Sequence, residues 1–324
     1  MSKFRALGNR LYSGESSVNI VGRRKTWYAV AAVVLILTIV LPIFRGGFNF
    51  GIEFRGGSEF RLTNSQSLPQ SLAVDAIQGV VPDVQVVVTQ VGLNDLRIQT
   101  EQLEDVESEA ARLALGEAYG IPGEEVASSF IGPNWGADVT RQALIGLIVF
   151  LVLVSVLMAL YFRSWKMSAA ALIALAHDLV ITIGIYGALG LEVTPAAVIG
   201  FLTILAYSLY DTVVVFDKVR ENTQEIEFSE TRTFGEMVNL AVNQTLVRSI
   251  NTSIVGVLPV ASILFIGSLL LGAGTLRDIA LVMMVGTIVG TYSSVFLAAP
   301  VYAHLRENEP AIKTAADRVL AARG

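Results

Sequence analysis

The chain has 324 residues, room for roughly two soluble domains, but it is 53% hydrophobic and 16% charged, with a mean hydropathy of +0.60, which places much of it in lipid. This composition excludes a disordered chain, a collagen-like fibre and a secreted mini-protein, and the absence of cysteine excludes disulfide scaffolds, thiolate zinc sites and thiol catalysis. The net charge of −5 argues against neutralisation of phosphate backbones, so nucleic acid is not an expected partner, and no residue cluster signals a metal or cofactor.

In chain order, residues 1–26 form a polar segment with Lys3, Arg5, Arg10, Arg23, Arg24 and Lys25 against Glu15. Such a basic flank is expected to stay in the cytoplasm. Trp27–Phe44 is the first of six stretches long and apolar enough to span a bilayer, and it lacks the cleavage site of a signal peptide. The others are Val139–Phe162, Ser168–Leu189, Pro195–Phe216, Leu246–Leu271 and Ile279–His304. Arg163 and Lys166 after the second span, and Lys218, Arg220 and Arg232 after the fourth, mark inner loops. The turn 190–194 carries only Glu192, so both termini are predicted to be cytoplasmic. Arg277 opposes this pattern, with Asp278 beside it as a partner.

Residues 45–138 hold 5 arginines against 14 aspartates and glutamates, a net of −9. Alternation predicts strands at Glu59–Thr63, Val84–Val91, Asp95–Thr100 and Val126–Ile131, with Gly92–Asn94 as a hairpin turn. Helical spacing predicts Ser71–Val80 and Glu104–Tyr119. The order βαββαβ is the ferredoxin-like split pattern. The fold class is thus a polytopic α-helical membrane protein of six transmembrane helices, with one extracytoplasmic α+β ferredoxin-like domain between spans 1 and 2. Residues 222–245 are polar, with Phe234, Met237, Val238, Leu240 and Ala241 at helical spacing. They read as an amphipathic helix along the inner interface or as a solvated connector, and 305–324 as a cytoplasmic tail.

The informative residues are those that hydropathy should exclude. Asp178, beside His177, falls near the middle of the third span, where an aspartate costs about 2.5–3.5 kcal/mol to insert. Asp211 lies in the inner half of the fourth, among Tyr207, Ser208, Tyr210 and Thr212. Gln244, Arg248, Asn251 and Thr252 recur every three or four residues in the fifth, so they share one polar stripe. Asp211 and Arg248 sit at comparable depth, which predicts an intramembrane ion pair. A buried carboxylate can take a proton from one side and release it to the other, and a guanidinium at variable distance can tune it. Asp211, Arg248 and Asp178 are therefore the candidates for proton coupling, set against a purely structural pairing. Gly286 and Gly290 form a small-xxx-small pattern suited to close helix packing, followed by Ser293 and Ser294.

Several stretches resemble the SecD/SecF family of protein-export subunits. GIEFRGG, Gly51 to Gly57, is similar to the family's Gly-Ile-Asp-Phe-x-Gly-Gly signature, carried here by Gly51, Glu53, Gly56 and Gly57. YSLYDTVVVFDKVREN (207–222) and GTLRDIALVMMVGTIVGTYSSVFLAAP (274–300) resemble its fourth and sixth spans, and AHDLVITIG (176–184) and NQTLVRSINTS (243–253) its third and fifth. Departures are Glu53 for aspartate, Arg55 for threonine, and Ala206 and Tyr210 for glycine and asparagine.

The resemblance implies a half-unit of the RND transporter superfamily in the bacterial cytoplasmic (inner) membrane. It implies a heterodimer with SecD that uses the proton-motive force to help preproteins through and away from the SecYEG translocon, with YajC as a further partner. The family's coupling aspartate falls on Asp211 and its arginine on Arg248. The alternatives are a structural scaffold for the partner, an RND-type exporter of lipids or drugs, and an intramembrane aspartyl protease built on Asp178 and Asp211. The exporter predicts twelve spans or two large outward domains.

Overall fold

The computed structural model describes residues 3–63, 69–91, 94–224, 226, 230–268 and 274–323. Among these, six helical segments are long and apolar enough to cross a membrane: Arg24–Phe44, Asn134–Phe162, Trp165–Leu189, Pro195–Asn222, Phe234–Gly267 and Thr275–Arg306. Their exposed faces are leucine, isoleucine and valine, as at Ile36, Leu153, Leu157, Val255 and Leu258, which is what a lipid solvent requires.

The first span is helix α2 (Arg24–Phe44), preceded by α1 (Lys3–Ser13). Strand β1 (Asn49–Phe50) and the single turn α3 (Ile52–Arg55) lead into a sheet domain. Its elements are β2 (Gly57–Leu62), α4 (Ser71–Val80), β3 (Val86–Val91), β4 (Asp95–Thr100), α5 (Asp105–Tyr119) and β5 (Ala127–Ile131). The four strands pair antiparallel in the order β3-β4-β2-β5, with Phe60 opposite Ile98 and Ser128. This is the ferredoxin-like order, each βαβ crossover leaving room for the strand inserted between its ends. The core is made by Phe60, Leu62, Leu96 and Ile98 of the sheet against Ala73 and Ile77 of α4 and Ala111 and Leu115 of α5. Gly92 and Leu93 of the expected hairpin turn lie outside the described residues.

The chain then runs through α6 (Pro133–Phe162), α7 (Trp165–Leu189), β6 (Glu192–Val193), α8 (Pro195–Asn222) and α9 (Phe234–Ser262) with its π-helical end Ile263–Ser268. It closes with α10 (Gly274–Ser293), a π turn Ser294–Ala298, α11 (Ala299–Arg306) and α12 (Pro310–Arg323). Helix α6 starts before the apolar run at Val139 because Pro133 at its first position preorganises the turn, and because Gly136 lets α3 lie against it, its Cα facing the Phe54 carbonyl. The sheet domain sits at one end of the bundle; the other is here called the far end.

The far end corrects the reading of residues 222–245. Among the described residues no separate interfacial helix precedes the fifth span, since 234–245 are the first turns of α9, opened by a capping box between Thr233 and Glu236. The apolar face there, Phe234, Val238, Ala241 and Val242, is buried against Phe216, Val219, Tyr302 and Ala303 in the main core of the bundle, so it meets protein and not lipid headgroups. The terminal segments are structured as well. Asn243 accepts from Val18 N (2.8 Å) and donates to Val18 O (2.9 Å), while Asn239 accepts from Ile20 N (2.8 Å) and Val21 N (3.1 Å), clamping the chain between α1 and α2 to α9. In α12, Ile312, Ala315 and Val319 are buried and Arg323 pairs with Glu236 at 2.7 Å.

Candidate functional site

Two carboxylates are buried at the centre of the bundle. Asp178 of α7 is 3% exposed and Asp211 of α8 is 5% exposed. Helix α10 brings the groups that meet them. It crosses α8 closely because Gly286 and Gly290 lie at the contact: a Cβ on Gly286 would collide with Ile204 Cγ1, and one on Gly290 would lie 3.0 Å from Ser208 Cβ.

Where α10 ends, the wider π turn begins, and the consecutive Ser293 and Ser294, roughly 100° apart around the axis, serve different aspartates. Ser293 Oγ donates to Asp178 Oδ2 at 2.7 Å, and Ser294 Oγ to Asp211 Oδ2 at 2.5 Å. Ser208 Oγ of α8 adds a second bond to Asp178 Oδ2 at 2.5 Å, and Ser249 Oγ of α9 a second bond to Asp211, at Oδ1 and 2.8 Å. His177 Nδ1 lies 3.2 Å from Asp178 Oδ1, and its Nε2 is buried without a partner among the described residues. The four serines thus join α7, α8, α9 and α10 around two carboxylates.

A hydroxyl is both donor and acceptor. The same four can point their protons at an ionised carboxylate, and one beside each acid can turn to accept from the protonated form. A lysine or arginine in their place would hold the carboxylate in one charge state.

The expected ion pair between Asp211 and Arg248 is not formed. Arg248 is exposed, donates to the Tyr210 hydroxyl at 3.4 Å and, among the described residues, has no carboxylate within 4 Å. The stripe at Gln244, Arg248, Asn251 and Thr252 does share one face, but it borders α8 away from Asp211: Gln244 Oε1 accepts from Asn222 Nδ2 at 2.9 Å and the Thr252 carbonyl from the Tyr207 hydroxyl at 2.9 Å. Asp211 meets Ser249, the middle residue of a hydroxyl ridge Thr245, Ser249 and Ser253 whose four-residue spacing is the signal in the sequence. Arg277 likewise does not pair with Asp278, whose carboxylate accepts from Thr194 Oγ1 at 2.8 Å and whose carbonyl accepts from the Tyr186 hydroxyl at 2.9 Å.

A second polar site joins the sheet domain to the bundle. Strand β1 pairs in parallel with β6, Asn49 opposite Glu192 and Phe50 opposite Val193, and Gly51 N donates to Val193 O at 2.9 Å. After α3, Gly56 and Gly57 take φ of +80° and +148°, and a side chain at Gly57 would collide with the Thr100 carbonyl, so only glycine lets the chain turn into β2. Beside this turn Arg97 of β4 makes a close ion pair with Glu192, both side chains about nine-tenths buried. Glu53 is partly buried, with Oε2 lacking a partner among the described residues. Burial pushes the Glu53 carboxyl above the ordinary range, and its own backbone and the Arg97 charge only partly offset this. Burial raises Glu192 too, against the pull of Arg97. The Arg97–Glu192 bridge went unread in the sequence, as its partners are 95 residues apart.

Comparison with known proteins agrees with these features. A family described as "Protein export membrane protein SecD/SecF, C-terminal" matches residues 115–308, and one described as "SecD/SecF GG Motif" matches residues 43–64. The protein translocase subunit SecF of Streptomyces coelicolor is 43% identical over all of this chain and 86% of its own length. That of Mycobacterium tuberculosis is 41% identical over 96% of this chain and 72% of its own. The crystal structure of SecDF, a translocon-associated membrane protein from Thermus thermophilus, superposes on 90% of this chain and 39% of its own, with a TM-score of 0.77 at 31% identity. A SecDF structure described as a super-membrane-facing form matches with a TM-score of 0.62 at 28% identity over 95% of this chain and 40% of its own. With six spans, a ferredoxin-like domain between the first two and the glycine turn joining them, the chain is a multi-pass membrane protein that belongs to the SecD/SecF family of protein-export membrane proteins, on its SecF branch.

Proposed function

We propose that this chain is the SecF half of a proton-driven accessory motor of protein export, and that Asp211 is the group that takes up and releases the proton. The observation that carries this reading is a mid-membrane carboxylate that, among the described residues, is bonded to the hydroxyls of Ser249 and Ser294, groups able to donate to its charged form and to accept from its neutral one. Asp178 is a second acid of the same kind, and Ser293 and Ser294 place the two on adjoining residues of one helical turn. Arg248, on an uncovered face of α9, is proposed to act in the assembled pair, where a SecD-like half supplies the other wall. No bond chemistry is involved. The basic residues at the far end support an N-in, C-in arrangement in the bacterial cytoplasmic membrane, with the sheet domain outside. The SecYEG channel, YajC and emerging preproteins are the proposed partners.

The test is release of an exported reporter from cells depleted of this protein and rescued at matched membrane levels. Asp211→Asn keeps the volume and the serine contacts but cannot ionise. Failure of this variant while it still co-purifies with its partner supports proton coupling. Full rescue removes Asp211 from the mechanism and leaves a scaffold for the partner subunit.

A further inference from the structure

Residues 45–138 carry 14 carboxylates and only 5 arginines, yet the arginines at the domain-side membrane boundary do not find them. Arg61, Arg97 and Arg112 pair with Glu59, Glu192 and Glu109. Arg45 after α2, Arg55 at the end of α3 and Arg141 in the third turn of α6 are exposed, and among the described residues none has a carboxylate within 4 Å. Three exposed guanidiniums without a carboxylate partner in so acidic a region are free to meet an anion from outside the chain.

Arg55 also lines a cavity of about 510 Å³ between α6, α7, α8 and the 48–54 segment. The rest of its lining is apolar apart from Thr140, with Phe50, Phe54, Leu144, Ile183 and Phe201 as the larger walls. Its lining includes Leu144 of α6, which is 57% exposed. An apolar slot with one cation on its lining fits an amphiphile with an anionic head. The net charge of −9 overhead repels dissolved anions, whereas a phosphate carried within the leaflet arrives from the side.

We propose that this cavity is a phospholipid site, with an acyl chain between Phe54, Leu144 and Phe201 and the headgroup phosphate on Arg55. Arg45 and Arg141 hold the same headgroup layer. The lipid then braces the turn at Gly51 to Gly57 from behind.

The test uses the full chain in nanodiscs of phosphatidylcholine and phosphatidylglycerol containing a phospholipid with a photoreactive diazirine on its acyl chain, with labelled residues read by mass spectrometry. Labelling is expected to concentrate at Leu144, Leu147 and Phe201 and to be competed by unlabelled phosphatidylglycerol. Ala143→Trp, which fills the slot, should abolish it while leaving Leu157 and Leu160, further along α6, labelled as before. Arg55→Gln, an exposed substitution that leaves the core untouched, should lower cavity labelling about fivefold, the worth of one basic side chain at an anionic surface. Equal labelling of the cavity and Leu157, or indifference to Arg55→Gln, would overturn the proposal. Displacement of the label by an apolar signal-like peptide but not by excess phospholipid would overturn it in favour of a peptide site.

Discussion

Arg97 is the cation bound to Glu192, and its charge also partly offsets the burial of Glu53, so its removal is the sharpest probe of how the sheet domain is held to the bundle. In Arg97→Met the Glu192 carboxylate stays about nine-tenths buried with its charge uncompensated. Breaking a fully buried pair from one side costs 3–5 kcal/mol; at this boundary, with about a tenth of each side chain exposed, about 2–3 kcal/mol is expected. The β1–β6 bridge beside it should open correspondingly more often, and 2–3 kcal/mol is about a 30- to 150-fold loss of protection. Hydrogen exchange of the Gly51 amide, which donates to Val193 O, reads this opening directly. Adding Glu192→Gln removes the stranded charge, and the double variant should recover most of the protection. The pH dependence has a definite sign. Glu53 and Glu192 both have raised carboxyl pKa values in the docked state, so that state holds more protons than the open one between the ordinary carboxylate range and the raised values. Docking is therefore strongest in acid and weakens as pH rises through the raised values, more steeply in Arg97→Met. Unchanged Gly51 exchange in Arg97→Met, or no recovery in the double variant, would refute the reasoning.

Other consequences follow from single contacts. Gly286→Ala drives a methyl into Ile204 and should lower stability by about 1–3 kcal/mol, seen as a drop in the thermal midpoint that Ile204→Ala partly restores. Ser294→Ala should cost about 1.5–3 kcal/mol when Asp211 is present and much less in an Asp211→Leu background; equal losses in the two backgrounds, measured by a double-mutant cycle of melting curves, would show that the serine acts elsewhere. Gly57→Val places a branched side chain at φ +148° against the Thr100 carbonyl, and should increase proteolysis between α3 and β2 while leaving the exchange of buried α8 amides unchanged.

Much of this protein is legible from residue order alone, because lipid imposes a local rule. A spanning helix must be apolar for about 20 residues, so Trp27–Phe44 and Pro195–Phe216 announce themselves, and Asp178 and Asp211 stand out by breaking the rule. The sheet domain is nearly as clear, since alternation and helical spacing are also local: Ser71–Val80 and Asp95–Thr100 are helix and strand with the boundaries expected. What periodicity cannot say is which face of a helix meets which neighbour. Arg248 and Ser249 are adjacent in sequence but about 100° apart on α9, and only the packing of α9 against α8 turns Ser249 toward Asp211 and leaves Arg248 exposed. The same holds for Glu192 and Arg97, brought together across 95 residues by the docking of β1 on β6. The sequence alone determined that charges enter the membrane; which groups answer them was decided by tertiary structure, because a partner's identity depends on contacts that no local pattern encodes.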